Sequence, residues 1–151
     1  MTLSTAPSTH AAGLAERQDE YFAFEASFLE GKLLRNGAFG SREEYRLAFT
    51  ELKKYLWLVA VTGRDMAMYS RAVDEVWHQF ILFTREYHAF CDRFFGHYMH
   101  HSPRVAQTPA PEDGGAGLLE FLQAYREHFG PISRVWLEAL ILENDTLPVW
   151  Y

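Results

Sequence analysis

The chain has one cysteine among its 151 residues, and this scarcity limits how the fold can be stabilised. A single thiol, Cys91, cannot form an internal disulfide, so stability has to come from packing. The same count is typical of a reducing compartment, and we expect a cytoplasmic location. Residues 1–15 agree with this expectation because they lack the basic and apolar regions of a secretory signal.

Long apolar runs and excess positive charge are also missing. The longest apolar candidate, Tyr55 to Val61, is far shorter than the roughly 20 residues that cross a bilayer, so no membrane span is expected. Lys and Arg number 14 against 20 Asp and Glu, which gives a net charge of −6. This charge repels phosphate backbones, and nucleic acid is therefore not expected as a partner.

Several catalytic motifs are absent as well: a glycine-rich phosphate loop, H-E-x-x-H and G-x-S-x-G. The sequence shows no internal repeat and no strand-like alternation. It is instead rich in large apolar side chains, with 48% hydrophobic and 16% aromatic residues, and its length suits one core. We predict an all-α protein with a disordered tail over 1–10. Residues 11–151 are predicted to form a single compact domain of five or six helices, with a flexible connection near 102–117.

Apolar spacing and capping residues predict the first two helices. The first runs from about Ala11 to Leu34 and ends at Asn36 and the glycines that follow it. Ser41, followed three residues later by Glu44, is a capping box and predicts a second helix over Arg42 to Val61.

Four further segments complete the helical prediction. Ser70 is predicted to cap a third helix, and Thr84 a fourth that stops at Gly96. The periodicity then resumes over Leu118 to Phe129, and the segment from Ser133 to Leu142 is expected to dock on the core as a helix.

The stretch from Val73 to Pro103 concentrates the residues that carry chemistry. Asp74 and His78 are four residues apart, so on a helix they share one face, and the carboxylate can orient the imidazole or both can bind one ion. The alternative is a structural hydrogen bond between the two side chains, because His78 follows Trp77 at the margin of the buried stripe.

Cys91 has two interpretations. It lies in register with Tyr87 and Phe94 on the apolar face of the fourth helix, where a lone cysteine is more often a small buried hydrophobe than a ligand.

His88 and Asp92 occupy the opposite face and are expected to form a solvated pair.

If the fourth helix doubles back beside the third, His78 and Cys91 can converge with one or both of His100 and His101. Such a mixed set of nitrogen, sulfur and oxygen ligands suits zinc or iron. The hypothesis is a metal-binding domain with His78, Cys91 and His101 as ligands, completed or oriented by Asp74 or His100. An open coordination position would allow hydrolytic or oxidative activity, and whether the protein is an enzyme stays open. The alternative is a surface histidine cluster without an ion.

A rival hypothesis is a non-catalytic protein–protein interaction module. In it Trp77, His78 and Cys91 only join two helices, and exposed aromatic residues such as Trp150 and Tyr151 meet a protein partner. A third possibility is a ligand pocket lined by Phe and Trp side chains.

The motif V-D-x-x-W-H-x-x-x-L, followed by Y-x-x-x-C, F-G and H-x-P, resembles the core of the glycine-rich domain-containing protein-like family. The positions that carry it are Asp74, Trp77, His78, Tyr87, Cys91, Phe95, Gly96, His101 and Pro103. The resemblance covers about Glu51 to Pro103 and implies a helical module, but no reaction. Plant members often have a second histidine where this chain has Phe80, and the glycine-rich extension is absent.

Overall fold

A computed structural model of the protein describes residues 9–101 and 116–137. Within these two ranges the chain forms helices and no strand, which confirms the all-α prediction. Seven helices are defined there: α1 (Thr9–Glu16), α2 (Gln18–Ala23), α3 (Ser27–Arg35), α4 (Arg42–Thr62), α5 (Arg71–Leu82), α6 (Thr84–Phe94) and α7 (Ala116–Phe129). None of the helices in the described ranges is long and apolar enough to span a membrane.

The single helix predicted over 11–34 is wrong, because the structure divides this span into α1, α2 and α3. Phe24 follows α2 in an extended conformation, with φ −61° and ψ 130°. The Lys53 ammonium of α4 donates to the carbonyls of Phe22 and Phe24, at 2.7 and 2.9 Å. Tyr21 in turn donates to the Lys53 carbonyl at 2.6 Å. A long-range cation therefore satisfies the carbonyls that an unbroken helix would have paired internally.

The second predicted helix is confirmed as α4, which packs against α1, α2, α3, α5 and α7. Its amino end is capped as expected, with the Ser41 hydroxyl accepting from the Glu44 amide at 3.2 Å. The return contact differs from the predicted capping box, because the Glu44 carboxylate accepts from the Gly40 amide rather than from that of Ser41. Gly63 ends the helix with φ 65°, a left-handed conformation that glycine adopts without strain.

The helices α5 and α6 are separated by Phe83 alone. Ser70 caps α5 as predicted, since its hydroxyl accepts from the Val73 amide at 3.3 Å. Thr84 is not the cap of α6; it is the first helical residue, and Phe83 precedes it without a side-chain cap. Gly96 lies just beyond the end of α6, with φ 73°. With only one residue between them, α5 and α6 follow each other directly.

The tail, the connection and the last helix are covered only in part. Residues 1–8 lie outside the described residues, whereas Thr9 already begins α1. Of the connection near 102–117, only Ala116 and Gly117 are described, and they belong to α7. The predicted last helix is helical over 134–137, and its remainder, like Trp150 and Tyr151, lies outside the described part. The domain boundaries therefore stay a prediction.

A buried carboxylate joins α4 to the end of the described chain. Glu51 is 2% exposed and accepts hydrogen bonds from the Tyr125 hydroxyl at 2.9 Å and the Trp136 indole at 2.8 Å. Its other oxygen pairs with the Lys54 ammonium at 2.9 Å. Because each partner offsets the loss of solvation, the charge is tolerated in the interior.

The buried cation of α4 gives a test of this packing. Burial lowers the pKa of Lys53 from 10.5 to about 8, so between these values the unfolded chain binds more protons than the folded one. Lys53 is then expected to add about 1 to 2 kcal/mol to the free energy of unfolding from about pH 7.5 to about pH 9.5. The buried Cys91 thiol, whose pKa is raised, acts in the opposite direction. Urea unfolding followed by circular dichroism measures the Lys53 contribution as the difference between the wild type and a variant without this cation.

Lys53→Met should lack this contribution, so its free energy of unfolding should increase by about 1 to 2 kcal/mol less over this pH range than that of the wild type. The same substitution at the exposed Lys32 should follow the wild type. An identical pH dependence in the two variants would show that Lys53 does not make this contribution.

Candidate metal centre

Asp74 and His78 lie one turn apart on α5, as their spacing predicts. The Nε2 atom of His78 is 3.5 Å from Oδ1 of Asp74. Asp74 occupies the first turn of α5, where the helix dipole favours a carboxylate. The helix therefore presents a carboxylate and an imidazole side by side.

The third member of the group is His101, which comes from the segment after α6. Its Nε2 atom lies 2.8 Å from Oδ1 of Asp74 and 2.8 Å from Nε2 of His78. The His101 side chain is 9% exposed, against 21% for Asp74 and 40% for His78. The group is thus closed on the His101 side and open to solvent on the His78 side.

These three atoms define a triangle of a size that one ion can bridge. With sides of 2.8, 2.8 and 3.5 Å, its corners lie about 1.8 Å from their common centre. Zinc binds imidazole nitrogen at about 2.0–2.1 Å and carboxylate oxygen at about 2.0–2.2 Å. The three side chains could therefore hold one ion at these bond lengths.

The same distances are also compatible with hydrogen bonds among the three side chains, without an ion. Two Nε2 atoms 2.8 Å apart can share one hydrogen only if one ring is protonated at Nε2 and the other is not. The Nε2–H of His101 then has two acceptors in reach, the Asp74 carboxylate and the His78 ring. The arrangement thus accommodates either one hydrogen or one ion among three converging lone-pair atoms.

Trp77 and Tyr87 fix the segment that carries His101. The Trp77 ring stacks on the His101 ring, with centroids 4.1 Å apart and an angle of 18°. The Trp77 indole donates to the Tyr87 hydroxyl at 3.0 Å, and that hydroxyl donates to the Met99 carbonyl. From sequence Trp77 and Tyr87 could be recognised as motif residues, but their hydrogen bonds could not be foreseen.

The structure does not bring Cys91 into the group that was predicted from sequence. Within the described residues, the group of candidate ligands consists of Asp74, His78 and His101. Cys91 is fully buried in the core. Burial raises the pKa of the Cys91 thiol, which keeps it protonated and unsuited to ligation or nucleophilic attack. The expectation of a buried hydrophobe fits this position better.

His100 also lies apart from the group. It is exposed, and its ring lies 4.7 Å from that of Tyr98. Burial alternates along this segment, with Met99 and His101 facing inward and His100 facing solvent. The apolar Met99 two residues before His101 was the sequence signal that could have separated the two histidines.

The remaining histidines of the stretch have other partners. His88 and Asp92 form the solvent-exposed pair expected from sequence, with 3.2 Å between Nδ1 and the carboxylate. His97 contacts the Phe95 carbonyl through Nδ1 at 3.0 Å. Phe80 is fully buried in the core.

The comparisons with known proteins identify a family for most of the chain. The model of a family described as UCP032817-like matches residues 18–128. This range includes Asp74, His78, His101 and the side chains that hold them. The match shows that the chain belongs to a recognised protein family, but it does not support the glycine-rich family name that the motif suggested. No curated protein and no solved structure matches the chain.

Because Cys91 is buried, its thiol is expected to react slowly in the folded protein. The native protein should react with an aromatic disulfide reagent on the order of 100-fold or more slowly than the urea-unfolded chain, because the reagent needs an exposed thiolate. Since the chain has one cysteine, the released chromophore reports this thiol alone. Equal rates in the native and unfolded protein would contradict the buried, protonated state.

Proposed function

We propose that this chain, which belongs to the UCP032817-like family, binds one divalent transition-metal ion through Asp74, His78 and His101. The observation that carries the proposal is the convergence of one carboxylate oxygen and two imidazole nitrogens at 2.8 to 3.5 Å from one another.

The ligand set favours zinc or iron. Calcium and magnesium take oxygen ligands, whereas two imidazoles and one carboxylate are found in catalytic zinc sites and in sites of ferrous iron. The thiolate of the original hypothesis is replaced by the Asp74 carboxylate. Between zinc and iron the three side chains do not discriminate, so both ions belong to the proposal.

An ion held by Asp74, His78 and His101 would supply the Lewis acidity that hydrolytic or oxidative chemistry needs. The exposed edge of His78 is the side from which water or a substrate could reach this group. Catalysis of this kind is an extension of the metal proposal.

The competing hypothesis is a structural one. In it a hydrogen bond from His101 to Asp74 fastens the segment after α6 to α5 without an ion, and the protein serves as an interaction module for a protein partner. The 2.8 Å separation of His101 Nε2 from Asp74 Oδ1 is compatible with this role. The two hypotheses differ in whether a chelator changes the protein.

The wider expectations from sequence are part of the same proposal. A cytoplasmic location is supported by the single cysteine, and the lack of a nucleic-acid partner by the net charge of −6. The finer relation to the glycine-rich family is supported by the shared motif residues.

Elemental analysis and calorimetric titration test the proposal. Protein stripped with a chelator should bind one Zn²⁺ or, under anaerobic conditions, one Fe²⁺ per chain. Asp74→Asn, His78→Gln and His101→Gln should each weaken binding by more than about 100-fold, because each removes a ligand of the ion. Saturation at about 100 times Kd should also stabilise the wild type by about 2.7 kcal/mol in thermal unfolding.

The exposed pair of His88 and Asp92 provides the matched control. It has the same i, i+4 spacing and a similar separation, but it lies outside the candidate ligand group. His88→Gln and Asp92→Asn should leave affinity and stoichiometry unchanged. If the wild type takes up no metal and unfolds identically with and without chelator, the metal site is wrong. The competing hypothesis of a structural hydrogen bond from His101 to Asp74 then stands.

A further inference from the structure

We infer that Tyr87 and Trp77 are positioning residues of the metal site, holding His101 at its ligand position through the Met99 carbonyl. The inference rests on the proposed function and extends it to two side chains that do not touch the ion. The inference concerns His101, the proposed ligand that does not lie on a helix. Asp74 and His78 are placed by α5 itself, whereas His101 depends on contacts made by the segment from Phe95 onwards.

The Tyr87 hydroxyl is the central contact of that segment. It is buried, accepts from the Trp77 indole at 3.0 Å and donates to the Met99 carbonyl two residues before His101. Because one hydroxyl serves both neighbours, its removal would leave a buried donor and a buried acceptor without their partner.

Trp77 acts on the His101 ring directly. The two rings are stacked with centroids 4.1 Å apart, which restricts the rotation of the imidazole about its side-chain bonds. Trp77 lies on the same helix as Asp74 and His78, three residues after one and next to the other. The ligands and the surface against which the third ligand rests thus belong to one rigid element, which lowers the entropic cost of assembling the site.

Tyr87→Phe separates the hydroxyl from the ring. A phenylalanine keeps the packing of ring 87 against Phe80 and Tyr98, with centroids 5.0 and 5.2 Å away, and removes only the hydrogen bonds. We expect Zn²⁺ affinity to fall about 10- to 100-fold, the usual effect of losing a residue that orients a ligand. Tyr45→Phe is the matched control, since Tyr45 is also buried and donates to a backbone carbonyl, that of Ala26. Its affinity should stay within about 3-fold of wild type.

A second measurement works on the metal-free protein. The ring protons of His101 lie against the indole of Trp77 and should show an upfield ring-current shift in NMR, assigned with His101→Gln. Tyr87→Phe should reduce this shift, and Tyr45→Phe should leave it in place. A purely structural role of Tyr87 would lower stability without moving this signal.

The outcomes separate the two claims. A wild type that binds Zn²⁺ and a Tyr87→Phe variant that binds it equally well would overturn the positioning role and leave the metal site standing. A wild type that binds no metal would overturn both. If Tyr87→Phe does not fold, Trp77→Phe decides, because it keeps a stacking ring but loses the indole donor. Weakened binding then supports the inference, and unchanged binding rejects it.

Discussion

The hydrogen bond from the Tyr87 hydroxyl to the Met99 carbonyl connects α6 to the chain that leaves it, and the Trp77 indole fastens that contact to α5. A buried backbone carbonyl needs a hydrogen-bond donor, and a tyrosine on a helix can supply its hydroxyl at a fixed distance and direction. The proposed positioning of His101 beside Asp74 and His78 rests on this contact.

Two buried charged residues of α4 also form hydrogen bonds to distant parts of the chain. Lys53 satisfies carbonyls at the break after α2, while Glu51 accepts from Tyr125 and Trp136 on the side of α7. The two residues are separated by one position and point to different parts of the molecule. Each charge is buried with its partners in place, so the helix joins the two ends of the described chain by specific contacts as well as by apolar packing.

What the sequence could predict was largely local. The caps Ser41 and Ser70 were found because a hydroxyl and the amide it accepts from are three residues apart, and the pair of Asp74 and His78 because their spacing matches a helical turn. The break near Phe24 could not be found, since its cause, Lys53, is distant in sequence.

The sequence hypothesis named both Cys91 and His101 as ligands, and only His101 lies in the group with Asp74 and His78. Which side chains turn inward after α6 depends on the contact of Met99 with Tyr87, and the residue spacing does not reveal that contact.

The single residue between α5 and α6 has a geometric consequence for the whole arrangement. Each residue added to or removed from an α-helix turns the side chains that follow it by about 100° about the helix axis, and a change beside Phe83 would shift α6 in the same way if it lengthened or shortened either helix. With one residue more or fewer around Phe83, the side chain of Tyr87 would leave the indole of Trp77, and Cys91 would turn with it. The length of this joint is therefore as strict a requirement as the identity of the residues on either side, and homologous chains should show insertions elsewhere before they show one here.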